Sequence, residues 1–454
     1  MEKRYFRDVF ETCSRREFVV ALGLASGHAI LKPSAAVASV GKLADPVVVV
    51  SDPTGAAIQA AIDSLPAGGT IYLTATIPYL INATLVIGTN GIKLVGLGPK
   101  RTTLLAQHGA VLTVSYHAEE QLLLVQDANN VSISGLTVDT QNEVNGSGLR
   151  EGISVWNSSA VQISNVACVK NLGPNAYNRA LAFQQSSNVT ASRCFITQSR
   201  DGIFVWECVT FNVTECDVHD CEVLGSDFTG VVSGVDLINS SSGNISSCSI
   251  FRNAVSGGMF VTNCEDLVIT QCTVAETMPF PGQPGNDGIF IQLSPIGPIT
   301  VQNCKLTKNS GAGVSAQGSS NITIHMCEAL NSGTLAAGGS GISINGGTQN
   351  VIVTKNTVLD SRNPSYGGIV AGYSSSSDIN STISHNVVHG LAQGVALGPS
   401  TSNFIVESND GRTEYVFSIK GQIIRLWTIS VNDSRRKRST PFAAMCLDCI
   451  HVPC

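Results

Sequence analysis

Two carboxylates and a guanidinium recur at one slot of a repeating phrase. Glu151, Arg179 and Asp201 each stand immediately before a small residue, Gly152, Ala180 or Gly202, that opens an alternating apolar segment. If successive phrases stack as neighbouring strands at about 4.8 Å, Glu151 and Asp201 lie about 9.6 Å apart with Arg179 between them. That separation is near the upper end for inverting glycoside hydrolysis, in which one carboxyl protonates the leaving oxygen and the other activates water. The arginine can instead bind a uronate carboxylate and acidify the proton on the adjacent carbon, the chemistry of a lyase or an epimerase. A salt-bridge ladder along a sheet edge accounts for the same residues with no chemistry at all.

A second group follows Cys216, formed by Asp217, His219, Asp220, Glu222 and Asp227. His219 is the histidine best placed for acid/base work, with carboxylates close in sequence. An acidic turn of this kind also has the ligand chemistry of a calcium site, although no cofactor is clearly indicated, and a solvated polar loop is the plain alternative.

After each small residue the side chains alternate inward and outward, so the outward positions form columns up one face. One column holds Ser154, Ala182, Phe204, Asp236, Phe260 and Phe290; the next holds Trp156, Gln184, Trp206, Ile238, Thr262, Gln292, Gln317 and Asn345. Aromatics interleaved with amides and a carboxylate suit a saccharide groove, because sugar C–H faces stack on rings while hydroxyls find hydrogen-bonding side chains. On this reading Trp156, Trp206, Phe204, Asp236, Phe260, Phe290 and Gln292 bind substrate. Regular stacking would set Trp156 and Trp206 about 9.6 Å apart. A long loop folded over the rings would bury them instead.

The elements that must carry these columns are strands. The phrase Asp201-Gly202-Ile203-Phe204-Val205-Trp206, then Phe211-Asn212-Val213-Thr214-Glu215-Cys216-Asp217-Val218, is one copy of a two-part unit that recurs from about residue 131 to about 400. Its period wanders between roughly 22 and 32 residues, the range of a solenoid, and its apolar residues alternate with period two. Each coil then supplies the crossover that parallel strands require, which makes a parallel β-helix. Cys194, Cys216, Cys248, Cys272, Cys304 and Cys327 fill one slot in six successive units and are followed there by Asn356 and Asn386. A shared slot predicts a ladder of reduced, stacked cysteines rather than disulfides, whose geometry the sheet spacing would strain at every step.

The 454 residues, 43% hydrophobic and 13% charged with mean hydropathy +0.19, suffice for a large core. The net charge of −6 argues against nucleic acid as a partner. Residues 1–38 contain Ser14-Arg15-Arg16-Glu17-Phe18, a modest apolar run and Ala36-Val37-Ala38, and resemble a bacterial twin-arginine export signal. That implies a periplasmic or secreted protein. The apolar run is too short to span a bilayer, and stable membrane insertion is not expected. Val47 to Val50 reads as a strand. Asp52 or Thr54 then caps a helix whose stripe of Ala57, Ile58, Ala61, Ile62 and Leu65 covers the open end of the solenoid. Residues 46–405 form the β-helix with this cap. Residues 406–454 form a C-terminal cap, with a terminal strand within Phe417 to Trp427, and an irregular tail whose Cys446, Cys449, His451 and Cys454 have zinc-ligand residue types at a compressed spacing.

The opening helix followed by "GGTIYL" and "TLVIGTNGIKLVGLG" resembles the entry of the pectate-lyase-like superfamily of right-handed parallel β-helix proteins, over about residues 46 to 405. The resemblance implies an all-β, right-handed, single-stranded solenoid of about ten to twelve coils. It also implies polysaccharide-processing relatives: lyases, hydrolases, alginate epimerases and phage tailspikes. The enzyme signatures of that superfamily, "GHG", "RIK", "WIDH" and "DPH", do not occur here. The expectation is an exported carbohydrate-active protein acting on an extended polysaccharide near Glu151, Arg179, Asp201 and His219, with a non-catalytic adhesin or glycan-binding scaffold as the alternative.

Overall fold

The computed structural model describes residues 45–411, apart from 108–119, 142–150, 173–177, 223–232, 254–256, 279–285, 334–339, 361–366, 375, 390–392 and 399, together with residues 425–427. The twin-arginine segment, Asp227, most of the C-terminal cap and the Cys446 to Cys454 tail lie outside the described residues.

Most rungs contain three strands rather than the two halves expected. In one turn of the coil these are Asp201–Trp206, Val209–Thr214 and Asp217–His219. The first strands of successive rungs form a parallel sheet of 12 described strands, from Leu85–Ile87 to Gln393–Leu397. The second and third strands form two further faces. These are joined where Ser132–Asp139 and Gln162–Val169 run through the corner as single strands and pair with both. The register keeps like on like: Ile203 pairs with Leu181 and Val235, and Val213 with Ala191 and Ile245. Those residues belong to one continuous buried core, as the period-two pattern requires.

The extra bend explains the cysteine slot. In the rung from Asp201 to Cys221 the three corners are made by Glu207, Glu215 and Asp220, with φ of 51°, 54° and 54°, each followed by a buried cysteine, Cys208, Cys216 or Cys221. A left-handed, non-glycine residue costs about 1–2 kcal/mol. The next side chain offsets this by bonding backbone groups that the bend removes from the sheets. Cys216 Sγ lies 3.7 Å from the carbonyl of Ala191 in the preceding rung and 3.4 Å from its own Thr214 carbonyl. Cys248, Cys272, Cys304 and Cys327 repeat the arrangement. Asn356, Asn386 and Asn409 then take over the slot. Their Nδ2 atoms donate to the carbonyls of Ile324, Val353 and Ile383, and their Oδ1 atoms accept the N–H of Cys327, Asn356 and Asn386.

The other two corners carry ladders of their own. Ser158, Ser186, Cys208, Ser240, Cys264, Ser294 and Ser319 line one, with bonds such as Cys208 N–H to Ser240 Oγ at 3.0 Å. Ser199, Cys221, Asn253, Thr277 and Asn309 line the other, with Cys221 N–H to Asn253 Oδ1 at 2.9 Å. All ten described cysteines are free and buried, as the ladder reading requires.

The small residues that open each first strand are dictated by the same stacking. A Cβ on Gly202 would sit 2.3 Å from the Gly234 carbonyl oxygen and 2.4 Å from a Val218 methyl. The helix Gly55–Asp63 is capped by Thr54, whose hydroxyl accepts the Ala57 N–H. It buries Ile58, Ala61 and Ile62 against the first strands, among them Val47–Val50.

Two outcomes test the ladders. Asn386→Ala orphans the Val353 carbonyl and the Asn356 N–H, and should cost about 2–4 kcal/mol in urea unfolding. The ten described thiols should be silent to a thiol reagent in the native protein and react only on unfolding, since burial pushes Cys168, Cys208, Cys221 and Cys264 up to about 12.

Candidate functional site

The first sheet brings Glu151, Arg179 and Asp201 into direct register, Arg179 lying opposite both acids on adjacent rungs. Their backbones are therefore where the repeat predicts. Their side chains are not in an open cleft: Glu151, Arg179, Asp201 and Asp236 are only 0%, 7%, 3% and 2% exposed. Arg179 Nη1 is 3.0 Å from Glu151 Oε1, and its guanidinium lies 3.5 Å over the Phe204 ring. The small side chain of Ala182 stands beside Phe204 on the neighbouring strand. Gln184 Nε2 donates to the same Glu151 oxygen at 2.9 Å. Arg179 is thus committed within the protein by an ion pair and a ring contact, which corrects the expectation that it stands ready for a uronate.

Three buried carboxyls, Glu151, Asp201 and Asp236, share this neighbourhood with the guanidiniums of Arg179 and Arg200. Burial raises the Asp201 carboxyl to about 6, working against Arg179, Arg200 and the Ser233 N–H that donates to Oδ1 at 3.3 Å. Asp236 is pushed well above the carboxylate range by burial first and the charge of Asp201 second, with only Arg179 opposing. Several buried polar atoms around the pair have no hydrogen-bond partner among the described residues: Asp236 Oδ1, Ser233 Oγ and both amide atoms of Asn178, which directly precedes Arg179. Native interiors satisfy nearly all such atoms, and the segments 173–177 and 223–232 that flank Asn178 and Ser233 lie outside the described residues. The sequence repeat places Ser233 in the column of Glu151 and Asp201, but nothing in it signals Asn178.

The aromatic columns differ from expectation in two respects. Trp156 and Trp206 approach to 6.1 Å between ring centroids, tilted by 39°, because Gln184 on the intervening rung turns towards Glu151 and leaves the indoles free to meet. Exposure is uneven too. Trp156, Phe204 and Phe260 are buried, whereas Trp206, Phe290 and Gln292 are partly exposed. Phe260 and Phe290 make an edge contact at 5.5 Å.

His219 is not gathered into this cluster by any hydrogen bond or ring contact. It lies on the third face, stacked on Phe251 at 4.8 Å and edge-on to Phe195 at 5.0 Å. Its Nδ1 is 2.6 Å from Asp220, which Arg252 also clamps at 2.7 and 2.8 Å. A three-residue third strand points Asp217 and His219 outward on that face and Val218 inward, so closeness in sequence to Asp201 does not become closeness of side chains. No group of three or more potential metal ligands occurs among the described residues, and the Asp220 carboxylate is engaged by His219 and Arg252.

The fold is similar to several solved structures at low sequence identity. The A-module of the Azotobacter vinelandii mannuronan C-5 epimerase AlgE4 matches with a TM-score of 0.55 and 18% identity, covering 84% of this chain and 97% of that one. The periplasmic alginate epimerase AlgG matches at 0.53 and 10%, covering 85% and 84%. The Dettilon tailspike protein matches at 0.53 and 13%, covering 79% and 68%. No curated protein matches the sequence. The family described as "Right handed beta helix region" matches residues 151–329 and 282–412, together more than half of the chain. The three-strand rung, the parallel register and this match agree: the chain belongs to the right-handed β-helix family.

Proposed function

We propose that this chain is an exported, carbohydrate-active β-helix protein that binds an extended polysaccharide against its first sheet and cleaves it with Asp236 and Asp201. The observation that carries the reading is the pair itself, two buried carboxyls with raised proton affinity, set among polar atoms that lack partners. Asp236 donates its proton to the glycosidic oxygen as the C–O bond breaks. Asp201, ionised, takes a proton from the water that attacks the sugar carbon. Glu151 with Arg179 and Gln184 holds the floor of the site. The proteins of like fold named as a mannuronan C-5 epimerase and an alginate epimerase make polysaccharides the substrates to try first.

The near-complete burial of these groups favours a second reading, a non-catalytic scaffold in which the cluster only fixes the sheet. Turnover separates the two. Under the first reading Asp236→Asn and Asp201→Asn each slow product formation about 10²- to 10⁴-fold, and the rate of the parent rises as pH passes through about 6, where Asp201 ionises. New reducing ends identify hydrolysis, unsaturated ends a lyase and altered residue composition an epimerase. Failure of every glycan in a panel of polyuronides and neutral polysaccharides to change would leave the scaffold.

Stability provides a check on the electrostatics that does not require a substrate. An acid whose folded value is raised, as for Asp201 from 3.8 to about 6, contributes stability that is fully present below 3.8 and lost as pH rises through 6. Asp201→Asn keeps an oxygen for the Ser233 N–H and removes the titration. Its thermal midpoint relative to the parent should therefore increase between pH 4 and pH 7; a pH-independent difference would show that Asp201 is not perturbed.

A further inference from the structure

The outward face of the first sheet changes character along the solenoid. Between Glu151 and Phe260 its side chains are mostly buried, but from Asp287 onward they open to solvent. On the strands Asp287–Gln292, Val314–Gln317 and Ser340–Asn345 the open positions are Phe290, Gln292, Ser315, Gln317, Ser343 and Asn345. They lie in register as two columns, Phe290–Ser315–Ser343 and Gln292–Gln317–Asn345. One column offers a ring and two hydroxyls, the other three amides.

The amides are not equivalent. Asn345 donates to Ser343 Oγ at 2.6 Å and accepts the Tyr373 N–H at 3.0 Å, which fixes its orientation. The side-chain amides of Gln292 and Gln317 make no hydrogen bond among the described residues, and both are open to solvent. Each can present a donor and an acceptor to a ligand. Neighbouring rungs stand about 4.8 Å apart, close to the length of one sugar residue, so consecutive amides meet consecutive sugars of a chain running along the helix axis. Phe290, held edge-on by Phe260, gives the apolar sugar face a ring to stack on.

Charge selects among glycans. The outward positions of these three strands contain no Lys, Arg or His, and their one ionisable group is an acid, Asp287, which accepts the Ala312 N–H at 2.6 Å and a bond from Ser315. The sheet's cation, Arg179, is paired with Glu151 on the buried half. A polyuronide laid along Phe290 to Asn345 would meet no counter-charge from these three strands, and its carboxylates would be desolvated there without compensation. We infer that the open half of the first sheet, from Phe290 to Asn345, binds a neutral, hydroxyl-rich polysaccharide, with Gln292 and Gln317 reading its hydroxyls and Phe290 stacking on a sugar ring. The inference rests on the polysaccharide reading above and narrows its substrate to uncharged chains, although the proteins of like fold include one named for mannuronan and one named for alginate.

Affinity gel electrophoresis of the full chain tests it, with hydroxyethylcellulose and galactomannan as neutral probes and alginate and polygalacturonate as anionic ones. At least one neutral glycan should retard the protein and the polyuronides should not. The doubly substituted Gln292→Ala/Gln317→Ala protein, with its sheet circular dichroism unchanged, should bind about tenfold more weakly. Retardation by polyuronides alone, or neutral binding that the double substitution leaves intact, overturns the inference. Asp236-dependent processing of a polyuronide overturns it too and leaves the acid/base reading standing. Neutral binding with no turnover of any glycan does the reverse. No retention and no processing by any glycan removes both.

Discussion

A chain that bends through three corners in every rung must find partners there for backbone groups that neither adjoining sheet can bond. In this protein the need is met by stacking one small polar side chain above another at each corner. Two properties are required of that side chain. It must be small enough to repeat at the strand spacing, and it must bond a main-chain group of the rung before, either a carbonyl, as Cys216 and Asn386 do, or an N–H, as Ser240 does. Cysteine, serine and asparagine satisfy both, which is why the cysteine ladder passes into an asparagine ladder without any break in geometry. The asparagine version is the stronger, because its amide also accepts an N–H from the neighbouring rung. The thiol version is more tolerant of an apolar setting.

With the corners fixed, the faces between them are free to differ. The inward residues of all three faces join one apolar column. Outward, the third face carries the His219–Asp220–Arg252 cluster and its stacked rings, in which the Asp220 carboxylate meets both the imidazole and the guanidinium. The first face gathers three carboxyls and two guanidiniums, all out of water. Burial first, and the charge of Asp201 second, push the Asp236 carboxyl well above the usual range, with Arg179 alone opposing.

The same sheet continues past Phe260 into a more open stretch whose one ionisable group is Asp287, so one set of strands joins a buried cluster of carboxyls and guanidiniums to a more exposed row of amides beside an aromatic ring. The regular register makes this possible. Any residue type placed at an outward position is held in line with its neighbours by main-chain bonds that do not depend on it.

What the sequence by itself determined is whatever repeats: the parallel solenoid, the inward columns, the shared slot of Cys216 and Asn386, and the stacking of Glu151, Arg179 and Asp201. A rung pattern is a local rule applied many times, and alternation with a fixed slot suffices to state it. Only the tertiary structure decided where side chains go once they leave the strand. The 6.1 Å meeting of Trp156 and Trp206, the pairing of Arg179 with Glu151 and the separation of His219 from that cluster all depend on rotamers with no periodic signature. Burial, which raises the proton affinity of Asp236, is a property of the assembled surface, and no residue's own position in the repeat encodes it.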